Sequence, residues 1–256
     1  ALERACRETA TEVPDLAEPH FHLGRLRRAL GREEEALTLQ DEALRRDPGF
    51  APSLYERAVL CARGHDRAWS AAQVRALAQT GARLRAEGRF DRLPGGRGDG
   101  GATAGALPAT PGLADLERAD PELRRWRDEF AAAASGLVAI LRTRPDWRSH
   151  PASVLRVGPA GEACIEGLRL LIEEHRTAAS EGRLQAAVES DPRLEEAFEG
   201  LWRAAATANR HEASIEACTR GIAADAGYAP HWIHRAQSRA RLARDELARG
   251  IDPTAT

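Results

Sequence analysis

Lysine and methionine are absent from the 256-residue sequence, and all 37 basic residues are arginine. Schiff-base, P-loop and kinase-type catalysis each use a lysine, so those chemistries are excluded from this chain. Aromatic residues are scarce at 5%, which disfavours β-sandwiches and barrels, whose strands are rich in aromatic and β-branched side chains. An excess of positive charge is also missing. The formal net charge of -2 argues against a general electrostatic grip on nucleic acid or acidic lipid. No run of about 18 apolar residues occurs, and the amino terminus lacks the basic-then-apolar pattern of a signal peptide. These absences predict a cytoplasmic protein with no membrane insertion. The cysteines Cys6, Cys61, Cys164 and Cys218 form no close pair, which fits neither a zinc site nor a dense disulfide framework. Reduced thiols packed as small hydrophobes are expected.

What the sequence does contain is a repeat. Hydrophobic residues make up 43% and charged residues 30% of an alanine-heavy chain, a helical composition. Pro14 and Pro48 lie 34 residues apart, as do Leu16 and Phe50, and Gly24 and Ala58. The same interval links Asp191 to Asp225, Leu194 to Tyr228, and Cys164 to Phe198 to Trp232. A 34-residue period marks a repeated helix-turn-helix unit.

The segment Ala17 to Phe50 carries Leu23-Gly24 at a helix crossing, Gly31 at a turn, Ala36 and Ala43 on a second helix, and Pro48 at its close. It resembles a complete tetratricopeptide repeat. The resemblance implies an all-α solenoid of antiparallel helix pairs, non-catalytic and without cofactor or metal, which binds protein or peptide in a concave groove. Residues 1–16 look like the second helix of a preceding unit, so the chain is expected to be cut from a longer polypeptide. The expected organisation is an array over 1–88, a Gly/Pro-rich linker over 89–111, a spacer helix and loop over 112–157, and a second array over 158–256. Ala51 begins a further first helix, and a separate helix is expected from Asp66, with Ser70, Val74 and Leu77 on one face. Asp120-Pro121-Glu122 is a helix start, followed by Leu123, Trp126, Phe130, Ala134, Leu137 and Leu141 on one apolar face.

Catalytic motifs do not hold up. Gly96, Gly98 and Gly101 spell G-x-G-x-x-G, yet neither a strand nor a helix pattern flanks them. His211-Glu212 lacks the second histidine of a zinc helix, and His231 with His234 lacks a third ligand. By the resemblance, the inward positions of the first helices are Phe21, Arg25, Arg28, Tyr55 and Arg63, then Glu199, Arg203, Ile233 and Arg241. Arginine forks beside aromatic residues suit an acidic peptide. The same arginines could instead only keep a helix face in water. A second resemblance, carried by residues 39–60 and 216–232, is to the repeat tails that follow the kinase domain in some large bacterial serine/threonine kinases. It implies a regulatory region whose kinase activity lies outside this chain. A helical enzyme with a site between the arrays and an arginine-rich RNA-binding repeat protein are the alternatives.

Overall fold

The computed structural model describes residues 2–87, 113–148 and 158–249, and among them every regular element is a helix. The expected linker over 89–111, with its glycine motif, lies outside the described residues. In chain order the helices are α1 (Leu2–Glu12), α2 (Glu18–Ala29), α3 (Glu33–Arg46), α4 (Ala51–Ala86), α5 (Leu113–Ala119) and α6 (Pro121–Thr143). They continue with α7 (Pro159–Ile172), α8 (Thr177–Ser190), α9 (Glu195–Thr207), α10 (His211–Ala224) and α11 (Ala229–Ala248). Proline in the first turn opens α2, α4, α6 and α7, where its missing N–H costs nothing. Asp120 caps α6 by accepting from the backbone N–H groups of Glu122 and Leu123, as its sequence predicts.

Two kinds of turn recur. α2 folds back on α3, α7 on α8, and α9 on α10, each through a residue in the left-handed region: Gly31 (φ 72°), His175 (φ 54°) and Asn209 (φ 55°). An extended aspartate then ends α3, α8 and α10: Asp47, Asp191 and Asp225. Each carboxylate accepts from the backbone N–H two residues on, at 2.9, 3.0 and 2.8 Å. Each aspartate carbonyl accepts from the N–H three residues on, belonging to Phe50, Leu194 and Tyr228. The 34-residue interval from Asp191 to Asp225 is thus the distance between two such turns.

One expectation needs correction. The first helix from Ala51 does not end before Asp66; α4 runs unbroken for 36 residues. No proline interrupts it beyond its first turn, and an interior glycine costs a helix only about 1 kcal/mol. Gly64 is where Trp126 of α6 lies on the helix, and a Cβ there would fall 2.5 Å from the indole ring. The helix expected as a spacer is α6. It makes the most extensive helix–helix contact among the described residues, along α4, and buries Leu123, Phe130, Ala134, Leu137 and Leu141. The apolar face expected for it is thus present and is turned into the core.

That core is shared by both halves. One cluster joins Phe21, Phe50 and Tyr55 to Phe130, Cys164, Leu184 and Phe198, and a second joins Trp69 and Leu123 to Trp202 and Cys218. The described part of the loop after α6 adds Trp147, buried edge-on against Phe50 at 5.3 Å. All four cysteines are buried and free, as expected of packed thiols.

Candidate functional site

α2, the middle of α4, the start of α9 and the turn into α11 enclose a cleft of about 490 Å³. His22, Arg25 and Arg28 line one wall, Glu195, Asp225 and Tyr228 line the other, and Arg63 of α4 completes it. Steps of three along α2 put His22, Arg25 and Arg28 on one helix face.

Arg28 is 9% exposed and is held between helices. Its guanidinium donates to Glu56 of α4 at 2.6 Å and to Glu196 of α9, with Glu195 at 3.8 Å. Burial opposes its charge, but the attraction of Glu56, Glu196 and Glu195 prevails, so the pKa is raised. Arg63 pairs with Glu199 at 3.1 Å and with the Tyr228 hydroxyl, which itself donates to Glu199 at 2.5 Å. Arg25 is more accessible: its side chain is 28% exposed, its Cζ lies 5.8 Å from the centre of the Phe21 ring, and its ion pair to Glu56 is longer, at 3.5 Å. Burial and the neighbouring Arg25 lower the pKa of His22 and favour the neutral ring.

Of the inward positions expected from sequence, Arg25, Arg28 and Arg63 do converge on this cleft. Phe21 and Tyr55, expected as apolar pockets on its wall, are 3% and 0% exposed and belong to the core. Phe21 stands edge-on to Phe50 at 5.5 Å, so it supports Arg25 from beneath. Arg203 is wholly buried, with Nε 2.7 Å from Asp66 and a further contact to His65. Arg241 is half-buried and donates to Gln73 of α4 at 3.2 Å. Ile233 is 55% exposed and does not line the cleft.

Sequence reasoning paired these arginines with carboxylates of a ligand, whereas the carboxylates against Arg28 and Arg63 are the chain's own. The signal lay in the 34-residue frame. Glu196 and Glu199 hold the second and fifth places of their unit, the places that Glu18 and Phe21 hold in the best repeat. Helix position alone could not tell which unit would face which.

A second polar group is built around the buried His65, Glu117 and Arg203. His65 Nε2 lies 2.9 Å from Glu117 Oε1 on α5, and Glu117 Oε2 lies 3.3 Å from His175. Burial, then Arg203, lowers the His65 pKa to about 4, while burial raises Asp66 to about 6. His231 is fully buried in contact distance of Phe198 and Tyr228, and His234 stacks on Trp202 at 3.7 Å. Among the described residues no group of three histidine, cysteine or acidic side chains is placed to hold a metal ion, and no helix is long and apolar enough to cross a membrane.

Comparison with known protein families and with curated proteins finds no match.

Proposed function

We propose that the chain is a non-catalytic helical-repeat scaffold of the tetratricopeptide type, a solenoid of helix pairs that holds a protein partner at the cleft between α2, α4 and the turn into α11. The recurring aspartate turns support the repeat reading, because they join successive pairs with one geometry. The observation that carries the binding reading is the convergence of arginines from two inner helices on one cleft, with Arg25 the most accessible of them. Arg28 and Arg63 act as braces in this reading, and Arg25 with His22 acts as the receiving edge. A carboxylate-bearing peptide or helix meets Arg25 there, since its existing pair to Glu56 is the longest of the cleft's arginine pairs to that residue. Kinase association and a cytoplasmic, bacterial setting belong to the same proposal and rest on the sequence resemblance.

The test is capture of partners from a cell extract, followed by affinity measurement with His22→Ala and Arg25→Ala together. Loss of a binding anchor of about 2 kcal/mol corresponds to roughly 30-fold weaker binding. That loss is expected at unchanged thermal stability, and it shrinks as salt rises. Unaltered affinity at low salt would place the binding surface elsewhere.

A further inference from the structure

Along α6, Val138 and Arg142 lie one turn apart on one face, beside the buried Leu137 and Leu141. Along α7, Glu162, Glu166 and Arg169 share a face at steps of four and three. Between these faces and Arg183 of α8 lies a groove of about 520 Å³. Its floor is apolar: Leu137, Leu141 and Ile165 are almost fully buried, and Val138 is half-buried.

The rim is charged, and unevenly so. Arg169 holds Glu166 through two bonds, at 2.9 and 3.0 Å, and Glu162 has an interaction of its own within the chain. Arg142 and Arg183 are different. Both are exposed, and neither has an ion pair, hydrogen bond or ring contact among the described residues. Arg28 and Arg63, by contrast, are satisfied by the chain's own acids. Three arginines against two glutamates leave the lining with one positive charge.

We infer that this groove binds one amphiphilic monocarboxylate, its alkyl chain laid along Leu137, Val138 and Ile165 and its carboxylate taken by the unpaired guanidinium groups at the rim. A volume of this size suits a single small molecule, whereas the body of a helix is already about 10 Å across. The apolar floor gives water no partner, so an alkyl chain displaces it with gain. A guanidinium fork matches a carboxylate in plane and spacing. The single excess charge favours a monoanion over a doubly charged phosphate, which the two glutamates would repel. The site is separate from the cleft proposed for a protein partner and shares no lining residue with it.

The probe is dodecanoate below its micelle concentration, titrated into the full chain with labelled leucine, isoleucine and valine methyl groups. Binding is expected to shift the methyl resonances of Leu137, Val138, Leu141 and Ile165. Decanoate, two methylenes shorter, should bind about tenfold more weakly. Dodecyltrimethylammonium and dodecyl phosphate should each bind at least about tenfold more weakly than dodecanoate. Arg142→Gln with Arg183→Gln should weaken dodecanoate about tenfold at unchanged thermal stability, since neither side chain holds another part of the chain. Val138→Trp, which fills the groove from a half-buried position, should abolish binding. Absence of those methyl shifts at high dodecanoate, equal affinity for the carboxylate and the ammonium, or undiminished affinity in the double arginine variant overturns the inference. Should a variant fail to fold, the comparison of ligands on the unaltered chain decides. His22→Ala with Arg25→Ala should leave dodecanoate binding unchanged. If dodecanoate instead follows that pair, the ligand sits in the other cleft and this inference falls. A partner that needs His22 and Arg25 while dodecanoate does not bind leaves the cleft reading standing alone.

Discussion

Arg28 on α2 and Glu196 on α9 are ion-paired although 168 residues separate them in sequence, and Glu56 of α4 holds the other side of the same guanidinium. Both carboxylates are almost wholly buried, at 1% and 2% side-chain exposure. Removing the arginine takes the shortest ion pair from two buried carboxylates, of which Glu56 keeps only the longer pair to Arg25. Arg28→Ala is therefore expected to lower unfolding free energy by about 3–5 kcal/mol in urea titration. Arg25→Ala, at a more exposed pair, should cost no more than about 1 kcal/mol. Similar losses in the two variants would contradict this division between brace and receiving edge. From sequence the two arginines look equivalent, and only the buried acids tell them apart.

Close helix crossings give the next prediction. A Cβ at Gly64 would meet the Trp126 ring, and one at Gly167 would lie 2.6 Å from Leu184 Cγ. Gly64→Val and Gly167→Val should each destabilise by about 1–3 kcal/mol through overpacking. Gly182→Val, where the space is open, is the control and should be neutral to slightly stabilising, since valine is the better helix former of the two. Thermal melts of the three variants decide the matter.

Acid should destabilise the protein. Burial, then Arg203, brings His65 down from 6.5 to about 4, and burial, then Arg63, does the same for His234. The unfolded chain takes up these protons as pH falls below about 6.5, whereas the folded chain resists them until about 4, so stability is lost across that window. Asp66 works in the opposite sense. Its carboxyl is raised by burial to about 6, so the folded state takes up its proton first. The histidine protons outnumber that carboxyl proton, so the net effect is a loss of stability as pH falls from about 6.5 toward 4. His234→Phe keeps an aromatic ring against Trp202 and should flatten the fall. A melting temperature that does not change between pH 7 and pH 5 would count against these buried rings.

Burial also sets thiol chemistry. It pushes the thiols of Cys61 and Cys218 up to about 12, far from the thiolate range. All four cysteines should resist iodoacetamide in the native protein at pH 8 and react readily in denaturant. Rapid labelling of any one under native conditions identifies a locally open helix.

The helices and their joints were largely readable in the sequence, for local reasons. Asp120-Pro121 starts α6 as written, and the apolar face from Leu123 to Leu141 is the face that is buried. The aspartates at 191 and 225 announce their turns by spacing, because a turn depends on a few adjacent residues. The unbroken course of α4 was not readable. A sequence shows that Gly64 lacks a side chain but not that Trp126, in a helix dozens of residues later, occupies the space. The same holds at the candidate site. Periodicity put Arg25, Arg28 and Arg63 on inner helix faces, but whether such a face meets a ligand or its own chain depends on how tightly successive units close. That closure placed Phe21 and Tyr55 in the core and gave Arg203 to Asp66.

At 1.5 Å per residue the 36 residues of α4 make a rod about 54 Å long. Such a rod behaves as a ruler: the point where the chain leaves it is set at a fixed height and a fixed angle from the point where it enters. Deleting seven residues beyond Gln73 removes nearly two whole turns, so it would shorten the reach by about 10 Å while keeping the exit on almost the same side. Deleting five would swing the exit by more than a third of a turn. Whatever the chain delivers from that tip is thus addressed by helix length, and the address can be rewritten in steps of one residue.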